Sequence, residues 1–142
     1  MDPTLPPQPV PDADTAGFWR ATGRGELCLC RCTKCRRWHQ PPLERCPKCG
    51  EVSRFEAVSG RGRIKSFIVV RHPAVPGYLE DLPYVVAIVD LEEQAGLRLP
   101  GRLLDADPAE VKLGLSVRAE IVDLPGGDFR VAAFRLVSKA EI

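Results

Sequence analysis

The sequence predicts a mainly β protein with an N-terminal helix, a four-cysteine ribbon and a C-terminal five-stranded barrel. Three observations support this fold class. All six cysteines fall between residues 28 and 49, and four of them form two Cys-x-x-Cys pairs. From residue 53 onward, apolar and β-branched segments alternate with glycine and proline turns, as they do in all-β proteins. The one clear helical signal is a short segment near the N-terminus.

The composition is that of a globular protein, with 44% hydrophobic and 27% charged residues in 142 positions. No apolar run is long enough to span a bilayer. The first eleven residues lack the basic start and apolar core of a secretory signal. Six cysteines in such a chain favour metal binding in a reducing cytoplasm over a disulfide framework, so we expect a cytoplasmic protein.

The net charge of +1 is unevenly distributed. Residues 18–65 carry 12 Lys and Arg against 4 Glu, whereas residues 66–142 carry 8 Lys and Arg against 12 Asp and Glu. The basic first half is consistent with an anionic partner. A solvated face with counterions explains the same pattern equally well.

Residues 1–25 are expected to form a flexible, proline-rich arm followed by a short helix. The proline-rich start shows no hydrophobic period. Asp14 or Thr15 is a candidate N-cap for a helix over roughly residues 16–22, which Gly23 ends.

Phe18 and Trp19 are the large apolar residues of this helix. Their rings could anchor the helix on the ribbon of the same chain or on a partner protein. We favour partner docking, because two large aromatic residues beside a mobile arm have little local core to fill.

Residues 26–52 are expected to form a zinc ribbon. Cys32 and Cys35 form the first pair, and Cys46 and Cys49 form the second after a short polar loop. Two such turns can direct four thiolates at one tetrahedral zinc ion, with Zn–S distances of about 2.3 Å. Four protein ligands leave no open coordination position, so the predicted role of the ion is structural.

Cys28 and Cys30 precede this cluster on a short predicted strand that alternates as far as Cys32. The alternation places these three side chains on one face, so Cys30 is an alternative ligand to Cys32. We prefer Cys32, because only this residue has the Cys-x-x-Cys spacing to Cys35. The two spare thiols are interpreted as small packed side chains without a catalytic role.

The loop between the two pairs contains Arg36, Arg37, Trp38 and His39. Trp38 could stack on a base or an adenine ring beside the arginines. We favour a structural role in which the indole covers a ribbon that has almost no core of its own. His39 is expected to face solvent.

Residues 53–142 are expected to form the barrel. Five β segments with glycine corners and no long helix fit a small closed antiparallel barrel, and the OB-fold is the simplest of these because closure removes unpaired edges. Pro100-Gly101 suggests a bulge or bend within one strand. The predicted strands lie at 63–72, 84–91, 96–105, 116–124 and 129–137, after a first extended segment at 54–59.

The sequence contains none of the common catalytic motifs. It has no Gly-x-Ser-x-Gly elbow, phosphate-binding P-loop or His-Glu-x-x-His pair. His72 is the one acid–base candidate in the barrel, and its position before a proline in a loop favours a structural role. We therefore do not expect a self-sufficient enzyme.

Several short motifs together resemble the DUF35 family of OB-fold, acyl-CoA-associated proteins with a rubredoxin-like zinc ribbon. The likeness extends from about residue 16 to the C-terminus. The motifs that carry it are Phe18-Trp19, Gly25-Glu26-Leu27, the first Cys-x-x-Cys pair, Pro41-Pro42, Cys46-Pro47-Lys48-Cys49-Gly50, Val58-Ser59-Gly60-Arg61-Gly62, Pro76-Gly77-Tyr78, Pro83-Tyr84-Val85-Val86-Ala87 and Leu113-Gly114.

The resemblance implies a partner subunit that carries the catalytic residues, of the thiolase-like, aldolase or MaoC-like hydratase type. It also implies that the metal ligands are Cys32, Cys35, Cys46 and Cys49. Cys30 is a departure, since the family often has a polar residue there. Acyl-CoA is the ligand that the resemblance implies, and coenzyme A carries phosphates that arginines can bind. The candidate arginines are Arg36, Arg37, Arg61 and Arg63.

Two other function classes are compatible with the motifs. Zinc ribbons and OB barrels also bind single-stranded nucleic acid, although the acidic barrel half and the 6% aromatic content argue against this. Four thiolates also bind iron, as in a rubredoxin-like electron carrier.

Overall fold

A computed structural model describes residues 4–137, so residues 1–3 of the predicted arm and 138–142 of the predicted barrel lie outside the described range. One helix and eight strands make up the regular structure, with 3₁₀ turns at Leu79–Asp81 and Pro108–Glu110. Within residues 4–137, no helix has the length and apolarity needed to cross a membrane. The elements are α1 (Ala16–Gly23), β1 (Cys28–Cys32), β2 (Trp38–His39), β3 (Ser53–Ala57), β4 (Arg61–Val70), β5 (Tyr84–Leu91), β6 (Arg98–Leu103), β7 (Ser116–Asp123) and β8 (Arg130–Leu136).

Helix α1 starts where the sequence predicts, but Asp12 organises its entry. The Asp12 carboxylate accepts hydrogen bonds from the backbone N–H groups of Asp14 and Thr15, at 3.0 and 2.9 Å. The Thr15 side chain caps no helical N–H group and instead accepts from the backbone N–H of Asp12. An aspartate turn before the helix therefore replaces the predicted Asp14 or Thr15 cap.

The ribbon contains a three-stranded antiparallel sheet in the order β2-β1-β3. Cys30 at the centre of β1 pairs with His39 on one side and Phe55 on the other. Since β3 pairs with β1, the ribbon sheet continues to residue 57. The sequence pattern predicts a barrel that starts at residue 53. A single extended segment does not reveal from sequence which sheet it joins.

Strands β4 to β8 close into a barrel in the order β4-β5-β6-β8-β7. β7 pairs with β4 to complete the ring, and β6 runs parallel to β8. The five-stranded barrel and its closure confirm the predicted OB-like fold. The register of β6 is unbroken at Pro100 and Gly101, so no bulge lies there. Glycine is required at 101 because a Cβ would overlap the Phe134 ring.

The ribbon and the barrel share one hydrophobic core. Leu29 and Trp38 of the ribbon are buried in the same cluster as the barrel residues Val89 and Phe134. The structural role predicted for Trp38 is thereby confirmed, with only 6% of the residue exposed. Its burial is the main apolar contribution of the loop between the cysteine pairs.

Gln94 joins the two parts by a pair of hydrogen bonds. Its carboxamide oxygen accepts from the backbone N–H of Trp38 at 2.9 Å, and its NH₂ group donates to the Trp38 carbonyl at 3.1 Å. The Gln94 side chain thus makes the same two hydrogen bonds with the Trp38 backbone that a residue of a neighbouring strand would make. A residue in the loop between β5 and β6 therefore fixes the position of β2 on the barrel.

The N-terminal arm lies against the barrel, in contrast to the flexible arm expected from its composition. Pro6 is buried, and the side chain of Gln8 donates to the Pro125 carbonyl at 2.8 Å. Proline restricts the backbone before folding, so ordering a proline-rich segment on the barrel costs less conformational entropy than ordering a glycine-rich one.

Replacing Gln94 with leucine is expected to lower the free energy of unfolding by about 1–3 kcal/mol, because two partly buried backbone groups of Trp38 lose their partner. Gln94→Glu is the matched control, since its carboxylate still accepts from the Trp38 N–H, and it should lose less. Urea unfolding of the metal-saturated protein measures both. An unchanged urea midpoint for the leucine variant would show that Gln94 does not secure the ribbon.

Candidate metal centre

Two tight turns present the four cysteine thiols. In the first turn, the backbone N–H groups of Lys34 and Cys35 both point at the Cys32 sulfur, at 3.4 Å. In the second turn, the Gly50 N–H donates to the Cys46 carbonyl at 2.9 Å, and Gly50 has φ 75°. Glycine adopts this left-handed backbone without strain, which explains its position after the second pair.

The four sulfur atoms of Cys32, Cys35, Cys46 and Cys49 lie within 4.8 Å of one another. The Cys32–Cys49 and Cys35–Cys46 sulfur pairs are 3.3 and 3.7 Å apart, and all four thiols are free. A disulfide bond measures about 2.05 Å. A tetrahedron with Zn–S bonds of about 2.3 Å has edges of about 3.8 Å, so the cluster has the dimensions of a four-thiolate metal site.

Hydrogen bonds from the turns favour the thiolate form of Cys32 and Cys46. For Cys49, the backbone N–H of Glu51 lowers the pKa, but hydrogen bonds with the neighbouring thiols and burial outweigh it and raise the pKa to about 11. Burial raises the pKa of Cys32, but the backbone N–H groups of Cys35 and Lys34 and the neighbouring thiols outweigh it and lower the pKa to about 6. The backbone N–H of Cys49 is the largest cause that lowers the pKa of Cys46. These two thiols are buried, whereas Cys35 and Cys49 are exposed, so the site lies at the surface.

Cys28 and Cys30 lie outside the cluster. Both are almost fully buried, and burial raises the pKa of each thiol. They remain protonated and pack as small apolar side chains, as the sequence suggests. Of the alternatives Cys30 and Cys32, the geometry selects Cys32.

His39 is buried, and the expectation that it faces solvent was wrong. Its Nε2 atom lies 2.6 Å from the Ser53 hydroxyl, and burial lowers the pKa of the imidazole. The pairing of β2 with β1 draws this residue inward. From sequence, a two-residue strand inside a polar loop gives no periodic signal.

The structure divides the four candidate CoA-binding arginines between the ribbon and the barrel. Arg36 pairs with Glu56 at 2.8 Å, and Arg61 contacts Glu92 through two nitrogen atoms at 3.0 and 2.8 Å. Two of the four cations are thus offset by carboxylates. Arg63 donates to the Gly114 carbonyl, and Arg37 is exposed without an ion pair to any described residue.

The candidate docking residues Phe18 and Trp19 are half-buried against their own chain. Phe18 packs on the shared core, and the Trp19 ring meets Phe129 edge-on at 5.6 Å. The backbone of Gly17 lies on the Phe55 ring, where a Cβ would overlap it. Only part of each aromatic ring is therefore left for a partner.

A cleft that sequence patterns did not predict lies between the arm and the outer face of the barrel. Its volume is about 730 Å³, and Trp19, Tyr78 and Tyr84 contribute aromatic surface to it. Its lining residues come from positions 6–9 and 19 on one side and from positions 77–133 on the other, so no local motif marks it.

Comparison with known proteins identifies the family. A family model described as the C-terminal OB-fold domain of ChsH2 matches residues 55–127. A DUF35 domain-containing scaffold protein of Methanothermobacter thermautotrophicus is 35% identical over 104 residues, which are 71% of this chain and 76% of the relative. The chain belongs to the DUF35 family. This membership confirms the resemblance inferred from the sequence motifs.

Two hydratase subunits are also similar to this DUF35 chain. The 3-oxo-4,17-pregnadiene-20-carboxyl-CoA hydratase alpha subunit of Mycobacterium tuberculosis is 38% identical over 126 residues, which are 88% of the chain and 39% of the relative. A probable enoyl-CoA hydratase alpha subunit of Thermomonospora curvata is 36% identical over 80% of the chain. The chain spans between 34% and 39% of the length of these two subunits.

Solved structures agree with the fold of the DUF35 chain. A chain of the Ltp2-ChsH2(DUF35) aldolase superposes with a TM-score of 0.82 at 30% identity, covering 91% of this chain and 98% of that one. A DUF35 protein of unknown function from Sulfolobus solfataricus superposes with a TM-score of 0.55 at 14% identity, which supports the fold alone.

Exchange of Cys32 for serine is expected to abolish stoichiometric metal binding, whereas Cys30→Ser should retain one ion per chain, because only Cys32 belongs to the sulfur cluster. Co²⁺ titration, followed through its visible thiolate bands, measures both variants beside the parent. Retained Co²⁺ binding by Cys32→Ser together with loss by Cys30→Ser would assign the ligand to Cys30.

Proposed function

We propose that the chain is a non-catalytic, acyl-CoA-associated scaffold subunit. It binds and supports a thiolase-like, aldolase or MaoC-like hydratase enzyme in lipid, sterol or polyketide metabolism. The partner supplies the catalytic residues. The main observation behind this proposal is the superposition over 98% of a chain of the Ltp2-ChsH2(DUF35) aldolase, whose name joins a DUF35 chain to a second protein.

The relatives support the same function class from a second direction. Two are named as alpha subunits of acyl-CoA hydratases, and two are named as scaffold proteins. Subunit and scaffold are both roles that need a partner chain. Hydratases and an aldolase act on different bonds. A supporting role can be common to their DUF35 chains, whereas a single reaction cannot.

Zinc is the proposed metal, in a structural role. Four thiolates at tetrahedral spacing leave no coordination position for a substrate. Such a site persists where thiols stay reduced, which favours the cytoplasm. Four thiolates also accept iron, but an iron centre of this kind is coloured, and elemental analysis distinguishes the two metals.

Acyl-CoA is the proposed ligand of the complex, and the arginines differ in what they offer it. Arg36 and Arg61 already pair with Glu56 and Glu92. Arg37 and Arg63 have no carboxylate partner among the described residues, so they are better placed to receive phosphate groups.

The exposed edges of Phe18 and Trp19 are proposed to contact the partner. Helix α1 would then form part of the docking surface, and the Phe55 ring and strand β8 already hold this helix in place. A preorganised helix loses little conformational entropy on docking.

Nucleic acid is disfavoured as a partner. Several arginines on the surface of the barrel are paired with carboxylates, including Arg98 with Asp90 at 2.8 Å and Arg135 with Glu120 at 2.7 Å. Neutralised cations contribute little to phosphate binding. A strongly salt-dependent shift of single-stranded oligonucleotides by the purified protein would revive this alternative.

Affinity capture from the native host is expected to recover a thiolase-like, aldolase or hydratase chain in stoichiometric amount. The isolated protein should turn over no acyl-CoA, and adding it should raise the activity or solubility of the captured enzyme. The double variant Phe18→Asp/Trp19→Asp should capture less of that enzyme, with Leu113→Asp as an exposed apolar control on the barrel. Repeated capture without such an enzyme, or turnover by the isolated chain, would contradict the proposal.

A further inference from the structure

The cleft under the N-terminal arm has a defined floor and cover. Tyr84 and Val86 form part of the floor. Side chains alternate along β5, so Val85 and Ala87 point into the barrel whereas Tyr84 and Val86 point outward. Pro6, Gln8 and their neighbours in the arm form the cover. The volume of about 730 Å³ lies within the range of about 300–1,000 Å³ that is typical of small-molecule sites.

Glycines on the barrel side accommodate the cover at two separate points. A Cβ at Gly77 would overlap the backbone of Pro6, and a Cβ at Gly127 would overlap the carboxamide of Gln8. Beside the second point, Gln8 donates to the Pro125 carbonyl. The barrel surface therefore fits the arm closely at Pro6 and again at Gln8.

Aromatic rings give the cleft flat apolar walls. The Tyr78 and Tyr84 rings lie 5.6 Å apart, and the Arg102 guanidinium covers the Tyr84 ring at 5.0 Å. Trp19 closes another side of the cleft. Burial raises the pKa of Tyr78, so its phenol stays neutral near pH 7.

The charges on the walls are already paired. Arg102 contacts Asp81 at 3.1 Å, and Asp123 contacts Arg130 at 3.4 Å. Each charged lining residue in the described part of the chain thus lies beside an opposite charge, although the buried Nε atom of Arg102 has no hydrogen-bond partner. An ion in this cleft would therefore lose hydration and compete with an existing ion pair, whereas a neutral ligand could accept a hydrogen bond from Arg102 Nε without either cost.

We propose that this cleft binds a flat, uncharged, largely apolar small molecule beneath the arm. Its size, aromatic walls and paired charges all favour such a ligand over the phosphate-rich part of coenzyme A. All of its described lining residues come from this chain, so a probe can test the site on the isolated protein without the partner enzyme. Its test is therefore independent of the proposed scaffold function.

N-phenyl-1-naphthylamine, a neutral fluorescent molecule, is a suitable probe for the full-length, metal-loaded chain. We expect saturable binding of one probe per chain, with energy transfer from tryptophan that falls in Trp19→Phe, because Trp19 lines the cleft and Trp38 does not. The anionic analogue 8-anilino-1-naphthalenesulfonate has a similar aromatic body, and its affinity should be at least tenfold weaker. Equal affinity for the two probes would overturn the assignment of an uncharged ligand.

Val86→Trp should fill the cleft and weaken binding of the neutral probe at least tenfold. Ile88→Trp is the matched control, because residue 88 is the next outward position on β5 and does not line the cleft. Metal content and circular dichroism confirm that both variants fold. Unchanged affinity in Val86→Trp, or equal loss in both variants, would overturn the site.

Gly127→Val tests the cover, since the new side chain would displace Gln8 and the arm. We expect probe affinity to fall several-fold while metal content stays that of the parent. Unchanged affinity would show that the arm is not part of the site. Absence of saturable binding by the parent chain would overturn the whole proposal.

Discussion

The thiol cluster is the constraint on which the ribbon depends. Its four cysteines come from two turns that no long secondary-structure element connects, and the sheet between them includes a strand of only two residues. Such a segment cannot bury enough apolar surface to hold its own shape. A metal bound by these four sulfur atoms, which lie within 4.8 Å of one another, would supply the missing restraint, because its binding free energy would become folding free energy.

The shared core transmits this restraint to the barrel. Trp38 lies between the two cysteine pairs in sequence, yet its indole packs with barrel residues, and Gln94 pairs with its backbone. Arg31 covers the same ring at 4.7 Å. The ribbon and the barrel are therefore packed together and present a joint surface. A scaffold subunit needs such a surface, since a partner that docks on both parts pays little entropy to align them.

Strong local signals made part of this structure predictable. Cysteine spacing identified the four thiols, and strand alternation with glycine turns identified the barrel. Long-range pairings were not predictable in the same way. Strand β3 joins the ribbon sheet, His39 turns inward, and Arg61 pairs with Glu92 in the loop between β5 and β6. The contact between the arm and Gly77 was not predicted for the same reason, because Pro6 and Gly77 are distant in sequence.

Thermal unfolding with and without a chelator tests most directly whether the metal, the ribbon and the barrel form one cooperative unit. The transition is followed by Trp38 fluorescence and by far-ultraviolet circular dichroism. Trp19→Phe removes the second tryptophan, so that the fluorescence reports the surroundings of Trp38 alone. The shared core predicts coincident transitions in both signals, which move together to lower temperature when the metal is removed. A barrel that melts at an unchanged temperature after chelation, while the ribbon signal is already lost, would contradict this account.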